Sequence, residues 1–416
     1  MRQILISNCK QLVTVNASGN PVKKGPAMKD VGLLENASVL IEDGIITAIG
    51  NVETLEKHLG REATVIDASA SVALPGFVDA HTHLLFAGSR ENEFAMRAEG
   101  KSYQEIAQAG GGILSTVQAT RAAGKRALKK SAERRLDALM RHGTTTVEIK
   151  SGYGLDPDNE IKMLEALREL STEHLATIVT TFLGAHAIPP EFKERPNDYV
   201  ALICDRMLPY IASRDLASFC DVFCEKGYFT PEQSRVILEK ARKLGMDLKL
   251  HADELASSGG AMLAAELKAV SADHLEHIDG RGIEALRDAG VVAVLLPGVS
   301  FFLNHGYAPA RTLIDAGVPV ALATDFNPGS CMSFSMPLMM TIACTHMNMT
   351  PEEAITASTL NGAAAVGLSD KVGSIEVGKQ ADIILYNVPS YRFLSYHFGV
   401  NHVQTIIKNG TLLEFS

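Results

Sequence analysis

The sequence predicts an α/β fold: a (β/α)8 TIM barrel joined to a small β-sandwich domain built from both chain termini. Three observations lead there. Between residues 75 and 365, eight short β-like runs alternate with helix-length, charge-bearing segments. Short strands punctuated by turn residues flank that rhythm at both ends. Histidines and acids gather at the ends of the eight runs, where a parallel barrel opens its mouth.

Residues 1–74 hold the pieces ILISNC, QLVTV, SVLIEDGIITAIG and ATVIDA, broken by Gly, Asn and Asp in the manner of hairpins. They predict a small antiparallel sheet. From Pro75 come FVDAHTH (77–83), TTVEIKSG (145–152), TIVTTFLGAH (177–186), FCDVFCE (219–225), DLKLHADE (247–254), SADHLEH (271–277), VVAVLLPG (291–298) and VPVALATD (318–325). Between the first two, ALKKSAERRLDALMRHG sets Leu128, Ala132, Leu136, Leu139 and Met140 on one stripe. A helix there buries that stripe and leaves its bases in solvent. Beyond residue 365 the strand-like VGSIEVGKQADIILYN and HVQTIIKNGTLLEF rejoin the N-terminal sheet. The expected domains are therefore 1–74 with 366–416, a composite β-sandwich, and 75–365, the barrel.

Composition narrows the function classes. The chain has 416 residues, 46 % hydrophobic and 21 % charged, so it buries a large core and is too apolar for disorder. A formal charge of −9 opposes the basic footprint of nucleic-acid binding. In MRQILISNCK only Ile4 to Ile6 form an apolar stretch, short of a signal sequence, which predicts a cytoplasmic protein. The richest apolar run, VVAVLLPGVSFFL, is cut by Pro297 and Gly298 and falls below the ~18 residues of a membrane span. Six cysteines make no disulfide framework in a chain this long and read as reduced thiols. Cys220 and Cys224 have a ligand-like gap but no second pair, and read as packing.

The run ends carry the chemistry. They bear His81 and His83, Lys150, His186, His251 and Glu254, His274 and His277, and Asp325, six of the 13 histidines in the chain. Two residues apart on a strand, His81 and His83 face the same side, into the barrel mouth. His251 and Asp325 complete three imidazoles and one carboxylate, a set suited to Zn²⁺ or another first-row metal with room left for water. The absence of cysteine makes this a catalytic set rather than a structural one. Taken alone, HxH is a common pair and Asp325 a possible helix cap before NPGS. The remaining single histidines, such as His142, His174, His346, His397 and His402, read as surface or satisfied core. Lys150 admits two readings, a carbamylated bridge between two metals, or a residue beside the loop SGYG that is structural or supports the metal ligands from behind. The latter is preferred. Gly110 to Gly112 read as a lid or turn in preference to an anion nest.

PGFVDAHTH, KLHADE, SADHLEH, ATDFNPG and GSIEVGKQADIIL together resemble the amidohydrolase superfamily over nearly the whole chain. HTHLLFAGSRENEF, SYQEIAQAGGGILSTVQATR, EIKSGYGL, TFLGAHA, HADE and TDFNPGS look like its imidazolonepropionase family. That resemblance implies hydrolysis of the ring amide of 4-imidazolone-5-propanoate to N-formimidoyl-L-glutamate in histidine degradation. It implies one Zn²⁺ or Fe³⁺ per chain, held by His81, His83, His251 and Asp325. Arg90, Tyr153, His186, Glu254, Asn327, Gly329 and Ser330 would contact substrate or product, and His274 would sit near the attacking water. A cytoplasmic homodimer is implied as well.

The chemistry fits independently. A metal ion generates hydroxide from water near neutral pH, and Asp325 can take its proton and pass it to the leaving ring nitrogen. His186 is suited to polarising the carbonyl oxygen, Glu254 to bonding a ring N–H and His274 to orienting the water. A propionate tail calls for the two-pronged guanidinium of Arg90, which otherwise would only pair with Glu91 or Glu93. Two other readings use the same residues: a deaminase of the cytosine or guanine type, which would lack the carboxylate grip, and a non-catalytic binding protein, whose relatives usually lose metal ligands.

Overall fold

In the computed structural model, which describes residues 2–101, 105–106 and 109–414, the middle of the chain forms an eight-stranded parallel sheet paired in sequential order. Its strands are β1 (Phe77–Asp79), β2 (Thr144–Lys150), β3 (Thr177–Ala185), β4 (Phe219–Cys224), β5 (Asp247–Ala252), β6 (Ser271–His274), β7 (Val292–Leu295) and β8 (Val320–Leu322). Each of the eight runs supplies one strand. The helix Lys125–Arg141 buries Leu128, Ala132, Leu136, Leu139 and Met140, the stripe its spacing predicts. Other crossover helices start sharply because the sequence caps them. Asp156 accepts from the N–H of Asn159 ahead of Pro157–Glu173, and Thr230 with Gln233 forms a capping box ahead of Pro231–Lys243.

β1 and β8 do not share a ladder, and the barrel closes one step beyond them, through the isolated bridge Thr82–Phe326. There the N–H of Asp325 donates to the carbonyl of His81 at 3.0 Å, and that of His83 to the carbonyl of Phe326 at 3.0 Å. The Asp79 carboxylate reinforces the seam, accepting the N–H of Thr324 at 3.0 Å and its hydroxyl at 2.6 Å.

The chain ends form two sheets, as the expected sandwich requires, though without the purely antiparallel pairing the sequence predicts. A four-stranded sheet comes from residues 3–67, and a six-stranded sheet combines Gln11–Val13, Leu33–Leu34 and Val72–Pro75 with Ile383–Tyr386, Val403–Lys408 and Thr411–Glu414. Both are mixed. Gln3–Cys9 lies parallel to Thr64–Asp67, and Gln11–Val13 parallel to Val72–Pro75, because the connections between these pairs are long enough to return to the same edge. Strand alternation then decides what each residue covers. Ile383, Leu385 and Ala73 join Ile4, Ile6, Val39 and Ile41 in a core between the two sheets, while Ile384, Tyr386, Val72 and Leu74 pack into the core of the barrel. The C-terminal strands thus rejoin N-terminal ones, and the six-stranded sheet supports the barrel.

Candidate active site

At the C-terminal ends of the strands, His81 and His83 follow β1, His251 lies in β5 and Asp325 follows β8. Their donor atoms converge. Asp325 Oδ1 lies 3.5 Å from His81 Nε2 and 3.4 Å from His83 Nε2, and His83 Nε2 lies 3.4 Å from His251 Nε2. Four ligands held tetrahedrally at ~2.1 Å from an ion stand about 3.4 Å apart, so the spacing suits a metal.

The state of the rings suits one too. Asp273 Oδ2 lies 2.6 Å from His81 Nδ1, and Asp221 Oδ2 lies 2.9 Å from His251 Nδ1. A carboxylate on Nδ1 leaves the proton there and turns the Nε2 lone pair inward. Burial first, then neighbouring cationic groups including Lys150, hold the His81 and His83 imidazoles well below the usual histidine range and therefore neutral. His81 Nε2 and Asp325 Oδ1 are buried without a hydrogen-bond partner among the described residues. Lone pairs facing one another in a dry site repel unless a cation lies between them. Burial also lifts the Asp325 carboxyl to about 7, against the opposing influence of His251, Asn327 and Ser330. A cation favours its ionised form.

Above these atoms opens a cavity of about 300 Å³, lined by Arg90, Tyr153, His186, Glu254, His274, Asn327, Gly329 and Ser330 among others. All seven residues expected at the substrate share this one cavity. His274 stands with Nε2 3.6 Å from Glu254 Oε2, on a backbone at φ 78°, a conformation that costs a non-glycine residue about 1–3 kcal/mol and collects at functional sites. Burial, then Glu276, Asp325 and Glu225, push the Glu254 carboxyl well above its usual range.

Several expected roles change on inspection of the bonds. The Arg90 fork is occupied: Nε and Nη2 donate to Glu93 at 3.0 and 2.9 Å, an i,i+3 pairing at the start of the helix Glu91–Ala98. Nη1 remains, directed at Gly329. The Asn327 carboxamide bonds within its own loop, to the Asp325 carbonyl, the Ser330 hydroxyl and the N–H groups of Gly329 and Ser330. Ser330 in turn donates to Asp325 Oδ2 at 3.2 Å. Both side chains hold the Asp325 loop in place. His186 Nδ1 lies 3.0 Å from the Gly152 carbonyl, which only accepts, so the ring proton sits on Nδ1. Nε2 is then an acceptor, and His186 does not polarise a carbonyl oxygen as expected. Gly152 makes this bond possible, since a Cβ there would lie 2.9 Å from His186 Nδ1.

Lys150 ends β2 fully buried, its Nζ 2.8 Å from Glu148 Oε1 and 2.8 Å from Asp221 Oδ2. Burial pulls the ammonium down, but Asp221, Glu148 and Asp273 together raise it above the usual lysine range. A charged amine among acids is no site for carbamate formation, in line with the structural reading. His277 is exposed and stands outside the site, and the segment bearing Gly110 to Gly112 ends in a turn whose Gly112 N–H donates to Glu93. Residues 102–104 and 107–108 of that segment lie outside the described residues.

Sequence reasoning missed Asp221, Asp273 and Glu148, whose signal is an acid inside an otherwise apolar strand run. It missed Glu160, whose carboxylate accepts the N–H groups of Gly152, Gly154 and Leu155 and so shapes the loop carrying Tyr153. It also missed Arg97 and Lys101, two further cations at the cavity.

Comparisons with known proteins bear on the family and the fold. Residues 72–413 match the model of the Amidohydrolase family. The chain is 50 % identical over 416 residues to an imidazolonepropionase from Geobacillus kaustophilus, covering 99 % of this chain and 98 % of that one. It is 51 % identical over 411 residues to an imidazolonepropionase from Parabacteroides distasonis, with the same coverage. Among solved structures, a triazine hydrolase variant superposes with a TM-score of 0.75 at 18 % identity, covering 100 % of this chain and 95 % of that one. A Xanthomonas campestris adenosine deaminase with bound zinc gives 0.72 at 19 %, covering 99 % and 92 %.

Proposed function

The chain belongs to the amidohydrolase family and to its imidazolonepropionase branch, and from that premise we propose how its residues open the ring amide of 4-imidazolone-5-propanoate to give N-formimidoyl-L-glutamate, a step of histidine degradation. The enzyme is a hydrolase of cyclic amides. The observation that carries the proposal is the convergence of His81, His83, His251 and Asp325, whose donor atoms approach to 3.4–3.5 Å, at a cavity also lined by Arg90, Arg97, Glu254, His186 and His274. Those four residues would hold one Zn²⁺ or Fe³⁺ per chain. When bound, the metal supplies a Lewis acid that brings the pKa of a water from 15.7 towards about 7 and polarises the amide carbonyl.

The chain's own residues do the rest. Asp325 accepts the proton of the attacking water and delivers it to the ring nitrogen as the carbon–nitrogen bond breaks, so that nitrogen leaves neutral, as part of the formamidine group of the product. Ser330 and Asn327 keep that carboxylate aimed during both transfers. His274, braced by Glu254, orients the water. Glu254 accepts the one ring N–H, with the unprotonated Nε2 of His186 as a second acceptor beside it, and this would fix the carbonyl over the metal site. The propionate lies towards Arg90 Nη1 and the hydroxyl of Tyr153, with Arg97 beyond. Residues 1–74 with 366–416 serve as the composite β-sandwich domain and 75–365 as the catalytic barrel. No helix of the described residues is long and apolar enough to cross a membrane, and the assembly we propose is a cytoplasmic homodimer.

The test is turnover of freshly generated imidazolonepropionate, run beside elemental analysis of the same preparation. Metal-loaded protein that leaves this substrate intact, or that releases ammonia from cytosine or guanine instead, overturns the proposal.

A further inference from the structure

The mechanism makes no use of Lys150, although its charge lies fully buried directly below the metal ligands. Its contacts run in two directions. Nζ lies 2.8 Å from Asp221 Oδ2, whose other neighbour is His251 Nδ1 at 2.9 Å. The same Nζ lies 3.5 Å from Asp273 Oδ2, whose other neighbour is His81 Nδ1 at 2.6 Å. Glu148 Oε1, at 2.8 Å, and the hydroxyl of Thr181 beyond it fix the lysine from the third side.

We propose that Lys150 is a positioning residue for the metal centre, a single ammonium that tethers both aspartates and through them sets the orientation and Nδ1–H tautomer of two of the histidine ligands. The proposal rests on the reading of His81 and His251 as ligands. Its physical basis is the sharing of oxygens: the same Oδ2 of each aspartate faces the ammonium and the imidazole. Without the ammonium, each Oδ2 loses its cation and two buried carboxylates repel each other, held only through their Oδ1 atoms by the His251 N–H at 3.1 Å and the Ser271 hydroxyl at 2.6 Å, so each can swing its Oδ2 away from its ring. Losing a carboxylate that bonds a ligating histidine typically costs ~10- to 100-fold in metal affinity, and Lys150 acts on two such carboxylates from one contact further out. The position also explains why a barrel strand ends in lysine here, since an apolar residue would leave three acids together in a dry interior.

The test measures zinc affinity by competition with a chelator, on protein shown by circular dichroism to be folded, for the wild type and for Lys150→Met, which keeps length and removes charge. The expected result is zinc binding ~10- to 100-fold weaker in Lys150→Met. Lys408→Met is the control. Lys408 is buried as deeply, pairs with Asp382 at 2.6 Å in the six-stranded sheet and touches no ligand, so its loss should lower the melting temperature and leave zinc affinity unchanged. Wild-type affinity in folded Lys150→Met overturns the proposal. If Lys150→Met does not fold, Lys150→Gln is read in the same way, and failure of both to fold in excess zinc would make Lys150 a residue of the fold and overturn its assignment to the metal. Wild-type protein that binds no zinc would instead overturn the ligand reading on which the proposal rests.

Discussion

Gly329→Ala isolates the substrate grip from everything else in the site. A Cβ at Gly329 would lie 2.2 Å from Arg90 Nη1 and 2.7 Å from its Cζ, where non-bonded atoms want roughly 3.5 Å. The guanidinium must retreat by about 1.3 Å. Gly329 is not in the left-handed region, so alanine adopts its backbone without strain, but the displaced guanidinium is held by Glu93 through two hydrogen bonds that must shift with it. The cost to folding should therefore be modest, about 1–2 kcal/mol. The cost to catalysis should not be, because a positioning group misplaced by ~1 Å can lower the rate ~10²-fold. We expect kcat/KM to fall by ~10- to 100-fold, mainly through KM, since the carboxylate is remote from the bond that breaks. Arg90→Met should lose about 2–5 kcal/mol, the scale for removing one member of a buried charge pair. Adding Gly329→Ala to it should then cost little more, because both act on the same contact. The assay is steady-state hydrolysis of imidazolonepropionate at equal metal content, with melting temperature as the folding check. A Gly329→Ala enzyme with wild-type KM, or one that loses its metal, would refute the reasoning.

Three other outcomes follow from the same geometry. Glu254→Gln should keep its metal and lose ~10²- to 10⁴-fold in kcat, the usual contribution of a positioned acid or base; loss of metal would make Glu254 a ligand. Elemental analysis of protein purified without chelator should give one metal per chain, and a ratio of two with a carbamylated Lys150 in a diffraction map would refute the mononuclear centre. Arg97 lines the cavity, bonds weakly to the Gly329 carbonyl at 3.5 Å and has no ion-paired carboxylate among the described residues. Arg97→Gln should raise KM about tenfold, the worth of one hydrogen bond to a charged group, and an unchanged KM would remove it from the substrate.

What the sequence showed depended on how local each signal was. Eight strand positions and the stripe Leu128 to Met140 follow from periodicity, which needs only neighbours in the chain. His81, His83, His251 and Asp325 could be gathered because a parallel barrel brings all its strand ends to one rim. The parallel pairings of Gln3–Cys9 and Gln11–Val13 are not local, since alternation fixes which face a residue takes but not which strand lies beside it. The tautomer of His186 depends on a carbonyl 34 positions away, and the occupation of the Arg90 fork on the turn that starts a helix. Asp221 and Asp273 were hidden for another reason. In a strand buried on both faces an acid signals that it has a partner, but the partner itself, Lys150, lies on a different strand.

The position of the proposed metal ligands follows from how the barrel closes. β1 and β8 have three residues each and share no ladder, so the sheet is weakest where it must join itself. His81, His83 and Asp325 all lie on the segments that bridge this gap, and two of the bridging hydrogen bonds are made by the backbones of His81, His83 and Asp325 themselves. Asp325 leaves the strand at φ 49°, a conformation aspartate accepts more readily than most residues, and the turn sends its carboxylate inward instead of along the sheet. The fourth proposed ligand, His251, comes from β5, four strands from β1 and three from β8. An ion held by all four residues therefore ties the seam to the opposite wall. It also adds positive charge to an interior in which Asp221, Asp273, Glu148 and Asp325 outnumber Lys150 and Lys249. Buried acids in excess are costly unless a cation pairs with them, so binding of the proposed metal would also stabilise the closed barrel.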